Sequence, residues 1–365
     1  MSKSVNGKVA IAMSGGVDSS AAALILKQQG YDCIGITMKL YTENSASTEA
    51  MLADAKSVAD KLNIPFYEVD LKDCFCENVI DKFISEYING RTPNPCVYCN
   101  KALKFGELLK KAEELGCDYI ATGHYSKILK AEKSGRFLLK KGLDLTKDQS
   151  YMLYSLSQEH LSKVLFPLAD LNKIEVRKMA EENALITAHK QDSQDICFIP
   201  DGDYASFIDR YTHENPAHKE NIGRGFNEGD FIGESGEIFG RHKGIINYTI
   251  GQRKGLGLSF PQPMYVTKID AESNAVTLAE NEKLFSKKLT ATDINSVLYE
   301  KIPENLRVKA KVRYKHIEQF ATVIEVSENG FTLEFDEPQR AITSGQAVVL
   351  YTEDGTTVIG GGIIK

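Results

Sequence analysis

The chain has no run approaching the ~18 consecutive apolar residues that a bilayer-crossing helix needs, so no membrane partner is expected. Its first residues, MSKSVNGKVAIAMSGG, lack the charged-then-apolar layout of an export signal, because the apolar run is short and leads straight into a glycine turn. A cytoplasmic location is the expectation. The cysteines do not make an even, regular set: seven stand at uneven spacing among 365 residues, which argues against a secreted disulfide framework. Free thiols, a metal site or catalytic cysteines remain. There is no surplus of positive charge either, and the net charge of −6 excludes a uniformly basic nucleic-acid binder, although a local basic patch survives an acidic total. No internal repeat or low-complexity tract is present.

What is present is alternation. Val9–Met13, Cys33–Met38, Phe66–Leu71 and Tyr119–Thr122 read as strands. Between them Ser19–Gln29, Ala50–Leu62, Val79–Ile88 and Lys101–Leu115 read as helices, two of them closed by Gly30 and Gly116. Strands alternating with helices of this length imply βαβ units and a parallel sheet. From about residue 150 to 210 the text turns helical, and after about 220 it is rich in glycine and β-branched residues. The last 80 or so residues alternate apolar and polar around turns such as Glu328-Asn329-Gly330, as antiparallel strands of a small barrel do. The expected fold is α/β: a catalytic domain over 1–210, whose helical part at 163–189 packs with a central domain over 211–283, and a C-terminal antiparallel β-barrel over 284–365.

The sharpest local pattern is AMSGGVDSS, Ala12 to Ser20, between a buried strand and a helix. Glycines at 15 and 16 let backbone amides approach a phosphate, hydroxyls of Ser14, Ser19 and Ser20 add donors, and the helix start adds partial positive charge. The Walker pattern G-x-x-x-x-G-K-[ST] is missing, so no loop lysine cradles a triphosphate. The plainer alternative is a glycine turn capped by Asp18 or Ser19.

Thiols supply the second theme. NPCVYCN, Asn94 to Asn100, carries Cys96 and Cys99, and ICFIP carries Cys197. A thiolate is nucleophilic and forms reversible S–S bonds, so it suits sulfur carriage. A transfer that ends in a disulfide needs two cysteines brought together, and Cys99 and Cys197 lie on expected loops far apart in sequence. Cys33 and Cys117, in apolar settings, read as buried small hydrophobes, and Cys74 and Cys76 less firmly so. A third theme is charge. In RVKAKVRYK, Arg307, Lys309, Lys311, Arg313 and Lys315 occupy every second position, as on a strand with one cationic face. Phe239–Ile269 holds Arg241, Lys243, Arg253, Lys254 and Lys268 and no carboxylate. These strips are either solvated faces or a polyanion surface.

AMSGGVDSS resembles the PP-loop signature of the N-type ATP pyrophosphatases, which cleave ATP to AMP and pyrophosphate while adenylating a carbonyl oxygen. TPNPCVYCNKALKF, ATGHY (Ala121–Tyr125), KDQSYML (Lys147–Leu153), ICFIP (Ile196–Pro200) and YTIGQRKGLG (Tyr248–Gly257) resemble, in order, motifs of the tRNA-specific 2-thiouridylases, the MnmA family. That resemblance implies ATP contacts at Ala12, Met13, Ser14, Gly15, Gly16, Val17, Asp18, Ser19, Met38 and Gly123. It implies Cys99 as nucleophile and Cys197 as persulfide carrier. It implies tRNA contacts at Asn94, Pro95, Cys96, His124, Lys147, Asp148, Gln149, Arg313, Tyr314 and Gln346. Mg²⁺ with the ATP, a sulfur-donor protein and a monomer are further expectations.

Cys96 departs from the family pattern, which has aspartate there. With Cys99 and Cys197 it offers three thiolates, enough for a [4Fe–4S] cluster with one open iron. Cys74 and Cys76 with Cys96 and Cys99 make a weaker zinc set. The metal-free persulfide relay is the leading expectation. A PP-loop synthetase for a small metabolite and a non-catalytic tRNA-binding paralogue are the rival classes.

Overall fold

In the computed structural model the described residues are 6–43, 45–191, 196–215 and 225–365. Strand β1 (Lys8–Ala12) lies centrally, with Val9, Ala10 and Ile11 wholly buried, as a strand covered on both faces requires. Helix α1 (Val17–Gln28) follows, with Val17 and every residue from Ser19 to Leu26 buried, and Gly30 at φ +85° turns the chain back. Strand β2 (Asp32–Lys39), helix α2 (Ser45–Lys61), β3 (Phe66–Asp70) and β4 (Tyr119–Ala121) complete most of the layer.

The order is β3-β2-β1-β4, then the short strand Val164–Leu165, all parallel. The chain winds out from β1 to β3, then crosses to the other side of β1 to form β4. That reversal leaves a crevice at the carboxyl ends of β1 and β4, where ligands bind in such sheets. Ala12 registers with Ile36 and Ile11 with Ala121, so residues 13–16, Met38 and residues 122–125 emerge on one edge.

A second, four-stranded sheet has the order Tyr265–Asp270, Ala275–Ala279, Gly229–Ile232, Ile238–His242. The C-terminal strands from Phe285 to Ile364 close into a six-stranded antiparallel barrel. The fold is therefore α/β with a C-terminal β-barrel. The barrel shares the N-terminal core: Ala347, Val349, Tyr351 and Val358 pack in one apolar cluster with Tyr151, Leu153 and Phe105. No helix among the described residues is long and apolar enough to cross a membrane.

Three local readings need correction. The helix expected at Lys101–Leu115 begins earlier, as a helical turn Pro95–Tyr98, a π-helix Cys99–Glu107 and an α-helix Leu108–Glu114. Cys96 and Cys99 are therefore helical, not in a loop. The strand Val164–Leu165 lies inside a stretch that read as helical; two residues carry too little periodicity to be seen. The basic strand stops at Lys311, and its charges do not form one free face: Arg307 pairs with Asp336, and Lys311 is half-buried.

Candidate functional site

The first part of the site is the turn after β1. Gly15 sits at φ +65°, and a Cβ there would lie 2.5 Å from the Met51 carbonyl oxygen, so only glycine fits. Helix α1 has Gly16 as its N-cap with no side-chain cap, which leaves first-turn amides facing outward. Ser19 Oγ accepts from the Ser14 amide at 3.2 Å and donates to the Gly16 carbonyl at 3.2 Å, drawing the loop tight. Gly123, after β4, presses on this loop: a Cβ there would stand 2.7 Å from Asp18 C and Ser19 N. Met38 closes the same edge from the end of β2. The ten residues expected to contact ATP are thus brought together.

The second part is sulfur. Asn94 caps the turn Pro95–Tyr98, its side chain accepting from the Cys96 amide at 3.2 Å and donating to Met152 Sδ at 3.4 Å. Pro95 is buried at the first helical position. Cys96 and Cys99, three apart on helical backbone, share a face. Cys197, on a turn from a distant segment, lies close enough to feel charge on both. All three are free thiols, Cys96 and Cys197 exposed and Cys99 half-buried. Protein atoms still crowd each sulfur, and burial raises all three thiol pKa values, that of Cys197 to about 12. Lys104 opposes the rise at every one.

The π-helix explains how Lys104 does so. Its turn is closed by i→i+5 bonds, as from Leu108 N to Leu103 O, and holds about 4.4 residues, so position i+5 falls roughly 50° from position i. On an α-helix the same offset is roughly 140°. Cys99 and Lys104 therefore point the same way. The ring of Phe105, the next residue, packs 5.9 Å from that of His124. His124 follows Gly123, so the cysteine helix and the phosphate loop adjoin through one residue pair. His124 is buried, its Nδ1 2.6 Å from Thr122 Oγ1, and burial followed by nearby Lys104 holds its pKa well below the usual histidine range. It is neutral at pH 7.

Comparison with known proteins shows the family. Residues 7–201 match the model of the tRNA methyl transferase HUP domain, 221–280 that of the tRNA methyl transferase PRC-barrel domain, and 286–364 that of the aminomethyltransferase beta-barrel domain. The tRNA-specific 2-thiouridylase MnmA of Clostridioides difficile is 49% identical over 368 residues, covering 99% of both chains. That of Clostridium acetobutylicum is 46% identical, covering 99% of this chain and all of the relative. The chain belongs to the tRNA-specific 2-thiouridylase family. Among solved structures, a 4-thiouridine synthetase–RNA complex with bound ATP matches at 18% identity and TM-score 0.38, covering 59% of this chain and 52% of that one. The U34-tRNA thiolase NcsA of Methanococcus maripaludis, with its [4Fe-4S] cluster, matches at 22% and 0.36, covering 61% and 70%.

Among the described residues no three His, Cys, Asp or Glu side chains are arranged to hold a metal ion. The set of Cys74 and Cys76 with Cys96 and Cys99 is therefore not arranged for a zinc ion. Asn78 Nδ2 donates to Cys74 Sγ at 3.5 Å. Cys33 and Cys117 are buried, both with thiol pKa raised to about 11.

The residues matched to tRNA contacts fall into two kinds. Cys96, Tyr314 and His124 gather at the thiols, since Tyr314 is near enough to Cys96 for its own pKa to be raised, mainly by burial. Others brace the site. Asp148 is buried and accepts from Ser150 Oγ at 2.8 Å and from the amides of Ser150 and Gly142. Gln149 exchanges two 3.0 Å bonds with the backbone of Tyr125. Gln346 donates to the carbonyls of Thr92 and Pro93 at 2.9 and 3.3 Å, steadying the lead-in to Cys96. Lys147 is half-buried beside them, and Arg313 donates to the Arg340 carbonyl at 3.4 Å.

In the second basic stretch, Arg241 pairs with Asp230 and Lys268 with Asp270. Lys243, Arg253 and Lys254 are exposed and have no carboxylate partner among the described residues. Sequence reasoning missed Lys104, Lys173 and Lys190. Lys104 stood within a quoted motif, but its direction depends on the π-helical register. Lys173 and Lys190 reach the phosphate loop from beyond residue 170, and no local spacing announces that.

Proposed function

We propose that this protein is a cytoplasmic ATP-dependent sulfurtransferase that converts the wobble uridine of tRNA to 2-thiouridine. The observation that carries the reading is the junction of a glycine phosphate loop with a cluster of three thiols, joined through Gly123, His124 and Phe105. We read residues 1–210 as catalytic, 211–283 as a tRNA-binding part and 284–365 as a barrel that braces the site and meets tRNA.

ATP enters as its magnesium complex, with its phosphates on the amides of residues 14–19. The uracil C2 oxygen attacks the α-phosphate, the α–β P–O bond breaks, and pyrophosphate leaves. A donor protein has by then loaded Cys197 as a persulfide. The Cys99 thiolate attacks Cys197 Sγ and forms the Cys99–Cys197 disulfide, and the terminal sulfur leaves as hydrosulfide. Hydrosulfide attacks C2, the C2–O bond breaks, and AMP departs with the oxygen. Direct attack of the persulfide sulfur on C2 is the variant. Exposure of Cys197 on a turn supports loading by another protein, while half-burial of Cys99 supports an internal role.

Purified protein, tRNA, ATP and a persulfide donor should yield 2-thiouridine and AMP; Cys99→Ser or Cys197→Ser should lose both products, because AMP leaves only when sulfur attacks, and should still bind ATP. A protein that makes no 2-thiouridine, but adenylates a small metabolite without regard to either cysteine, would refute the reading.

A further inference from the structure

The phosphate loop carries no lysine of its own, yet two ammonium groups reach it from far along the chain. Lys190 Nζ donates to the Gly15 carbonyl at 3.0 Å and pairs with Asp54 of α2. Lys173, first residue of the helix Lys173–Glu182, donates to both carboxylate oxygens of Asp18 at 2.6 and 2.8 Å. The Tyr125 hydroxyl donates to Asp18 Oδ1 at 2.7 Å, and Lys173 Nζ stands 5.9 Å from the centre of the Tyr125 ring. Lysines seldom give up solvent, but the Lys173 side chain is only 12% exposed.

We infer that Lys173 and Lys190 form a cationic clamp for the β- and γ-phosphates of ATP, in the role that a loop lysine fills in Walker-type sites. The inference rests on the ATP-dependent reading above. The two ammonium groups stand at opposite ends of the loop, one on Gly15 and one on Asp18, with the first-turn amides of α1 between them. The α-phosphate must stay open to the attacking uracil oxygen, so cations at the loop's ends serve the phosphates that leave. Asp54 and Asp18 neutralise the lysines and hold them in place. An ammonium has three N–H donors, and Lys190 uses two, on Gly15 and Asp54. A triphosphate oxygen can take the third without breaking either contact. Cations so placed stabilise charge that develops on departing pyrophosphate.

The test is calorimetric titration of the full-length protein, without tRNA, with MgATP, magnesium pyrophosphate and AMP. Lys190→Gln should weaken ATP and pyrophosphate by about tenfold or more, the scale of one charge-assisted hydrogen bond, and leave AMP within about twofold. Lys190→Arg should recover part of the loss. Lys173→Gln should act in the same direction, but it also removes a largely buried ion pair, so the more exposed Lys190 carries the test. Unchanged ATP affinity in Lys190→Gln, or an equal loss for AMP, would overturn the clamp. A wild-type protein that binds none of the three ligands would instead overturn the ATP reading, and the clamp with it.

Discussion

A thiol and a carboxylate part company by more than four pKa units, so Cys96 does not perform at neutral pH the proton work that an aspartate would do at this position. Burial raises its pKa further. In the persulfide relay Cys96 lines the site and is not consumed. Cys96→Ala and Cys96→Asp should both keep 2-thiouridine formation within about tenfold of wild type, whereas Cys99→Ser should lower it by about a thousandfold, as loss of a nucleophile does. Nucleoside analysis of digested tRNA reads both. The raised pKa values set a sign as well. Although Cys197 is an exposed residue, the protein atoms around its sulfur favour the neutral form, so this thiol, pushed up to about 12, is almost wholly protonated at pH 7 in the ligand-free protein. Its alkylation by iodoacetamide should keep climbing with pH beyond the ordinary cysteine range near 8.5. A plateau at pH 8–9 would contradict the burial argument. His124 runs the other way: held neutral by burial and by Lys104, it should contribute no titration step to the activity between pH 6 and 7.

At the scale of elements, the π-helix Cys99–Glu107 matters most. Its register sets Lys104 beside the thiols. Lys104→Met should move the alkylation profile of Cys99 to higher pH, and Lys104→Arg should move it little; equal profiles would show that the cation is not felt. The cap before it is a separate lever. Asn94→Ala should destabilise the fold by about 1 kcal/mol, measured by denaturant unfolding. Much of this scale was legible in the residues. AMSGGVDSS announced a glycine turn because Gly15 needs positive φ and Gly16 leaves the helix uncapped, and buried runs such as VAIA announced parallel strands. The π-helix is not legible there, because apolar spacing is read against a period of 3.6 and an extra residue per turn blurs it. The residues alone therefore place Cys99 on a loop, whereas it starts the π-helix.

Across the whole molecule, the barrel and the catalytic layer form one body. Tyr151 Oη donates to the Ala347 carbonyl at 2.7 Å, the Thr92 amide donates to Ser344 O at 2.9 Å, and Gln346 holds the carbonyls that lead into the cysteine turn. Beneath this seam lie Asp148 and Lys311 with the Lys141–Glu318 pair. Asp148→Ala would leave buried donors on Gly142 and Ser150 without an acceptor, and should cost about 3 kcal/mol or more. Thermal melting should show it, with Asp148→Asn milder. Contacts of this kind join residues some 200 positions apart, beyond the reach of local pattern. The resemblance marked Asp148, Gln149 and Gln346, but only the packing shows that these three side chains hold the site together from behind.

The central claim is that sulfur passes from Cys197 with Cys99 as its partner. It is tested most directly by one turnover of persulfide-loaded protein with tRNA and ATP, acid-quenched and analysed by peptide mass spectrometry. The account predicts one Cys99–Cys197 disulfide for each 2-thiouridine formed, with Cys96 still a free thiol. Formation of 2-thiouridine with Cys99 and Cys197 both left unbridged would contradict it.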